Sequence, residues 1–134
     1  MRKLVVLFAV TAAVLAGPAA ASPAVRLTIM HYVHGCHVWQ LGGNTLGSAT
    51  TLRVKSGTRV EFRSDCPMDF DFAQTSGPRL ALGPSRMFAG TSRTIVFARR
   101  GTYRLTVKNV QSSEDRGLAT LGPDNTLTLT VRVA

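Results

Sequence analysis

The segment His31-Tyr32-Val33-His34-Gly35-Cys36-His37-Val38-Trp39 gathers all three histidines, one of the two cysteines and the single tryptophan of the chain. Imidazole nitrogens and a thiolate suit copper or zinc when they converge on one point. On a straight strand His31 and His34 would face opposite ways. Gly35 permits a turn, so His34, Cys36 and His37 can meet beyond it. His31 also shares its phase with Leu27, Ile29 and Val33, as a hydrogen-bonded core histidine would. A second segment, Asp65-Cys66-Pro67-Met68-Asp69-Phe70-Asp71-Phe72, adds a thiol, a thioether and three carboxylates. Met68 can serve copper as a soft ligand or simply fill a gap in the core. Asp65, Asp69 and Asp71 lack the Gly turn and closing Glu of a calcium loop, and pairing with arginine is the preferred reading. The candidate metal set is therefore His34, Cys36, His37 and Met68, with His31 as an alternate ligand.

Cys36 and Cys66 leave a fork open. Outside the cytoplasm two cysteines in a small domain commonly pair. A Cys36–Cys66 disulfide would close a loop of about 30 residues, worth roughly 3–4 kcal/mol in chain entropy. Cys36 would then leave the ligand set, and a copper site would rest on the histidines.

Enzyme readings find no support. The chain has no GxSxG elbow, HExxH pair or phosphate-binding loop. Gly42-Gly43-Asn44-Thr45 has no following lysine and reads as a turn. Cys36 beside His37 is poorly placed for base-assisted attack, because adjacent side chains diverge. No catalytic residue is assigned, and the chain is expected not to be an enzyme.

The elements that must position these residues have a period of two. Leu27, Ile29, His31 and Val33 share one strand face. Leu52 and Val54 lead into the turn Lys55-Ser56-Gly57-Thr58, and Val60 and Phe62 return with Arg59, Glu61 and Arg63 facing out. Thr94–Phe97 is β-branched, Arg99-Arg100-Gly101 is a turn, and Tyr103, Leu105 and Val107 alternate with Arg104, Thr106 and Lys108. Leu127, Leu129, Val131 and Val133 alternate with Thr126, Thr128, Thr130 and Arg132. Gly-Pro pairs at 77–78, 83–84 and 122–123 break the segments. The expectation is an all-β Greek-key β-sandwich of about seven strands, with a long loop from Val110 to Asp124.

Residues 1–21 read as a secretory signal: Arg2 and Lys3, an apolar run from Leu4 to Gly17, then Ala19-Ala20-Ala21. The run is too short to span a bilayer, and no transmembrane span is expected in residues 22–134. Those residues form one expected domain, secreted or periplasmic. No cysteine closely follows the cleavage site, so no lipid anchor is expected. Removing Arg2 and Lys3 lowers the net charge from +9 to +7. The composition excludes a disordered tail, a coiled coil, a collagen-like chain and a membrane channel. Arg53, Lys55, Arg59, Arg63, Arg104, Lys108 and Arg132 alternate with apolar residues, as on a solvated strand face. Such Arg-rich faces can also meet an anionic surface; nucleic acid is not an expected partner.

From Leu52 to Val107 the chain resembles the cupredoxins, the plastocyanin and azurin superfamily. The likeness rests on Leu52-Arg53-Val54-Lys55-Ser56-Gly57-Thr58-Arg59-Val60-Glu61-Phe62, on Gly83-Pro84-Ser85, and on Phe97 through Gly101-Thr102-Tyr103-Arg104-Leu105. The first and last strands extend it over most of residues 22–134. It implies a copper-binding domain for copper handling or electron transfer, with a redox or copper-delivery protein as partner. The usual ligands are not in their usual places: Asp65–Phe72 has no His, and Val110–Asp124 has no Cys, His or Met. The resemblance also implies that the first strand runs parallel beside the strand at Val60–Arg63. His34, Cys36 and His37 would then meet Cys66 and Met68 at one pole. The alternative is a metal-free sandwich stapled by Cys36–Cys66, acting as an envelope or extracellular interaction module.

Overall fold

The computed structural model describes residues 24–31, 37–110 and 126–134. The expected signal segment, residues 32–36 and the expected 110–124 loop beyond Val110 lie outside them. Within the described residues the chain forms ten strands and no helix. They are β1 (Val25–His31), β2 (His37–Leu41), β3 (Asn44–Gly47), β4 (Ala49–Val54), β5 (Thr58–Ser64), β6 (Asp69–Ser76), β7 (Arg86–Met87), β8 (Ser92–Phe97), β9 (Gly101–Val110) and β10 (Thr126–Val133).

Two five-stranded sheets result, ordered β3-β2-β1-β5-β8 and β4-β10-β9-β6-β7. The chain changes sheet after β3, β4, β5, β7 and β8, giving the crossed connections of a β-sandwich. The expected all-β sandwich is present, with more strands than the seven expected. The surplus lies in short edge pieces, including the two-residue β7, whose periodicity is too brief to read. The β2–β3 hairpin turns at Gly42 and Gly43, both at positive φ (54° and 84°). Two successive left-handed residues match the right-handed twist of the strands.

β1 runs parallel to β5, with Val25 opposite Val60 and Ile29 opposite Ser64. This is the pairing implied by the cupredoxin resemblance. A second parallel pair joins β4 to β10. Along β10 buried Leu127, Leu129, Val131 and Val133 alternate with outward residues, as their spacing predicts. The core lies between the sheets. Leu27, Ile29, Trp39, Val60 and Phe62 face Phe70, Phe72, Tyr103, Leu105 and Val107. Two buried polar tips in this core find partners: Trp39 Nε1 donates to the Thr128 carbonyl (3.0 Å) and Tyr103 Oη to the Arg99 carbonyl (2.6 Å).

Gly77 shows how tightly the chain closes at one corner. Its φ is +102°, and a Cβ there would stand 2.5 Å from the Thr102 carbonyl oxygen. Gly57, at φ +84°, has open space around it. Both positions resist alanine on backbone grounds, but only Gly77 adds a collision with main chain. Gly77→Ala is expected to destabilise the fold by about 3 kcal/mol or more, against about 1 kcal/mol for Gly57→Ala. Urea denaturation of the two variants checks the difference.

Candidate metal centre at one pole of the sandwich

β1 and β5 end side by side because they are parallel. The Asp65 N–H continues the ladder by donating to the Ile29 carbonyl (3.0 Å). Cys66 therefore lies close to where β1 ends at His31. On the other side of β1, antiparallel β2 puts His37 directly opposite His31. The three histidine-bearing and cysteine-bearing strand ends thus share one pole.

His37 and Trp39 alternate inward on β2, and His37 is buried to 1% exposure. Its ring sits edge-on to Phe70 of the opposite sheet (centroids 5.3 Å) and to His31 (5.4 Å). Among the described residues neither Nδ1 nor Nε2 of His37 has a hydrogen-bond partner. A buried polar side chain ordinarily finds one. Burial, then the neighbouring His31, lowers the His37 pKa from 6.5 to about 4. The ring is therefore neutral at physiological pH, with a lone pair available for a metal.

His31 is exposed. The core-histidine reading of His31 is thus corrected: its phase is that of Ile29, but it lies at the exposed rim, while His37 across the ladder packs on Phe70. The histidine taken into the core is His37.

Met68 is buried (2%), and its Sδ lies 2.9 Å from Asn109 Nδ2. Asn109 faces Phe70 across the β6–β9 ladder, so Met68, Phe70 and His37 form a connected wall. Cys66 is buried, with Sγ 3.5 Å from Ser64 Oγ and 3.8 Å from the Met68 carbonyl oxygen. Of the candidate ligands, His34 and Cys36 lie outside the described residues. Among the described residues no three of His, Cys, Asp or Glu come together as a metal-holding group. Met68, a sulfur donor, falls outside that set.

The aspartates are engaged elsewhere, as expected. Arg63 Nε donates to Asp65 (2.7 Å) and Arg86 Nε to Asp71 (2.6 Å). Asp69 accepts from the Ala89 N–H (2.9 Å) and lies 3.8 Å from Arg86. Sequence reading overlooked Asn109 and Ser64. Both continue an inward apolar phase, Tyr103-Leu105-Val107-Asn109 and Val60-Phe62-Ser64, and an amide or hydroxyl on such a phase signals a polar wall.

No family model matches the chain, and no curated protein matches it. Among solved structures it is similar to amicyanin from Paracoccus versutus, with 17% identity, 89% of this chain and 86% of that chain covered, and a TM-score of 0.44. It is also similar to a purple cupredoxin from Nitrosopumilus maritimus (18% identity, 80% and 98% covered, TM-score 0.43). A multi-copper oxidase from Pseudomonas thermotolerans gives 19% identity over 86% of this chain but 30% of that one, with a TM-score of 0.49. Likenesses this distant assign nothing to the side chains of this pole.

The His37 environment has a pH signature. Between about pH 4 and 6.5 the unfolded chain binds a proton at this position that the folded chain does not. Stability from this group is complete above pH 6.5 and falls on acidification toward pH 4, by on the order of 3 kcal/mol. Urea midpoints measured across that range are expected to drop in the wild type. In His37→Phe this part of the slope is expected to vanish.

Proposed function

We propose that the chain is a metal-binding β-sandwich that carries copper at this pole, for copper handling or electron transfer, and works outside the cytoplasm after removal of residues 1–21. The observation that supports this most is His37, a neutral, buried imidazole with both nitrogens unpartnered among the described residues. Leaving such a group unsatisfied costs about 1–3 kcal/mol, a cost that a bound metal would offset. His37 and His34 would supply nitrogen, Met68 a soft sulfur and Cys36 a thiolate when reduced, with His31 as the alternate ligand. Imidazole and thioether together suit copper better than a hard cation. Copper would supply one-electron chemistry or be the cargo itself. The protein residues would hold it, with Phe70 excluding water on one side and His31 at the exposed rim. No catalytic group is assigned, and the partner would be a redox or copper-delivery protein.

The test is Cu(I) competition titration of the reduced protein. His34→Ala/His37→Ala is expected to lose at least a hundredfold in affinity while keeping a cooperative thermal transition. Met68→Leu conserves volume but removes the sulfur acceptor of Asn109 Nδ2, should cost about 1–3 kcal/mol in the metal-free protein, and is expected to weaken Cu(I) about tenfold. Wild-type affinity in the double histidine variant would refute the site.

A metal-free sandwich stapled by Cys36–Cys66 is the second reading. Its support is the Asp65–Ile29 hydrogen bond, which sets Cys66 beside the end of the strand leading toward Cys36. Alkylation without reduction, read by intact mass, separates the two. The disulfide form takes up no alkyl group, whereas two adducts mean thiols available to metal.

A further inference from the structure

The pole opposite the histidines is built from the turns after β4, β6 and β8 and the end of β10. Ser56 N–H donates to the Ala134 carbonyl and Gly57 N–H to the Phe97 carbonyl, which ties these turns together. Exposed Arg53, Lys55, Arg79, Arg99, Arg100 and Arg132 project around them. Arg53 and Arg132 stand directly opposite each other across the β4–β10 ladder, an arrangement that repels in the absence of an anion. Arg79 and Arg99 line one recess with Leu80 and Ala81.

Among the described residues none of these six cations takes part in an ion pair. The acidic residues among those described are Glu61, Asp65, Asp69 and Asp71, and each pairs with Arg26, Arg63 or Arg86 away from this pole. Among the described residues the large exposed apolar side chains are Phe88 and Val96. Phe88 belongs to the turn near Ser64, at the histidine end, whereas Val96 lies opposite Arg59 one residue before the end of β8, at the edge of the cationic pole. The apolar surface at this pole is thus small, Val96 at its edge and Leu80 and Ala81 in the recess, with no exposed large aromatic side chain there among the described residues to anchor a protein partner. Its charges, five guanidiniums and one ammonium, are spread over several turns rather than aligned in a groove. Guanidinium pairs well with phosphate oxygens.

We propose that this pole is a docking surface for an anionic phospholipid leaflet. Phosphate headgroups neutralise the unpaired arginines, and one headgroup seats between Arg79 and Arg99. Docking through this end leaves the histidine pole pointing away from the membrane, open to a soluble partner. Each basic residue adds a similar increment, and salt screens the whole contact.

The test is flotation of the purified protein with vesicles of phosphatidylcholine containing about one-third phosphatidylglycerol, against vesicles of phosphatidylcholine alone. Binding is expected to the anionic vesicles at low salt and to fall at least tenfold in 0.5 M salt. Arg99→Glu/Arg100→Glu is expected to lose at least tenfold. Arg26→Glu/Lys108→Glu changes the net charge equally at other places and is expected to lose less than threefold. Arg99→Gln/Arg100→Gln provides a milder version, and thermal melts confirm that each variant is folded. Equal losses in the two charge-reversed variants would overturn the pole assignment. Absence of binding to anionic vesicles, or equal binding to neutral ones, would overturn the proposal. Retention on immobilised heparin at a salt concentration that releases the vesicles would overturn the lipid in favour of an anionic glycan.

Discussion

The parallel ladder between β1 and β5 is the constraint on which the arrangement of this molecule depends. Parallel pairing makes two strands distant in sequence finish at the same end. Ile29 lies opposite Ser64, and the Asp65 N–H carries the ladder one bond further. Antiparallel β2 then returns from that end, starting at His37. A slip of one residue in β1 would turn Leu27 and Ile29 outward and rotate His31 away from His37, so burial of the apolar face protects the register. The site inherits its geometry from the hydrophobic pattern of the strands beneath it.

Packing between the sheets explains why one histidine is singled out. Trp39, Tyr103 and Gln74 all direct polar atoms to backbone groups. His37 is as enclosed as Trp39 and Tyr103 and has no such partner among the described residues. The cost is concentrated where Phe70, Met68 and Asn109 complete a wall of mixed character. Among the described residues Arg93 Nη1 is the other buried side-chain nitrogen without a partner, so the deficit at His37 stands out by involving both nitrogens of one ring. The same enclosure keeps His37 neutral, since a charged imidazole there would lose its hydration and face His31.

Charge is distributed as unevenly as polarity. The described carboxylates are held by three arginines, and the aspartates stand toward the histidine end. At the other end basic side chains crowd the turns, and no described carboxylate side chain pairs with them. Exposed ion pairs contribute little to stability, so this division matters more for orientation and encounter than for holding the fold.

Much of the fold was legible in the residues. Alternation in β5, β9 and β10 and the glycine-containing turns define strands that pair in only a few ways, because a polar-outward, apolar-inward ribbon must bury one face. Short pieces such as β3 and β7 were illegible, since two to four residues carry no measurable period. Within the histidine segment, sequence supplied the chemistry and its candidates: His31, His34, Cys36 and His37. Which histidine enters the core was a tertiary decision. His31 and Ile29 share a phase, yet Ile29 is enclosed and His31 is exposed, while His37 directly across the ladder packs on Phe70 of the opposite sheet. His37 meets Phe70, more than 30 residues away, and Met68 meets Asn109 across 41 positions. Side-chain type is local information; the neighbours that strip water from a side chain or satisfy its polar atoms come from the pairing of strands far apart in the chain.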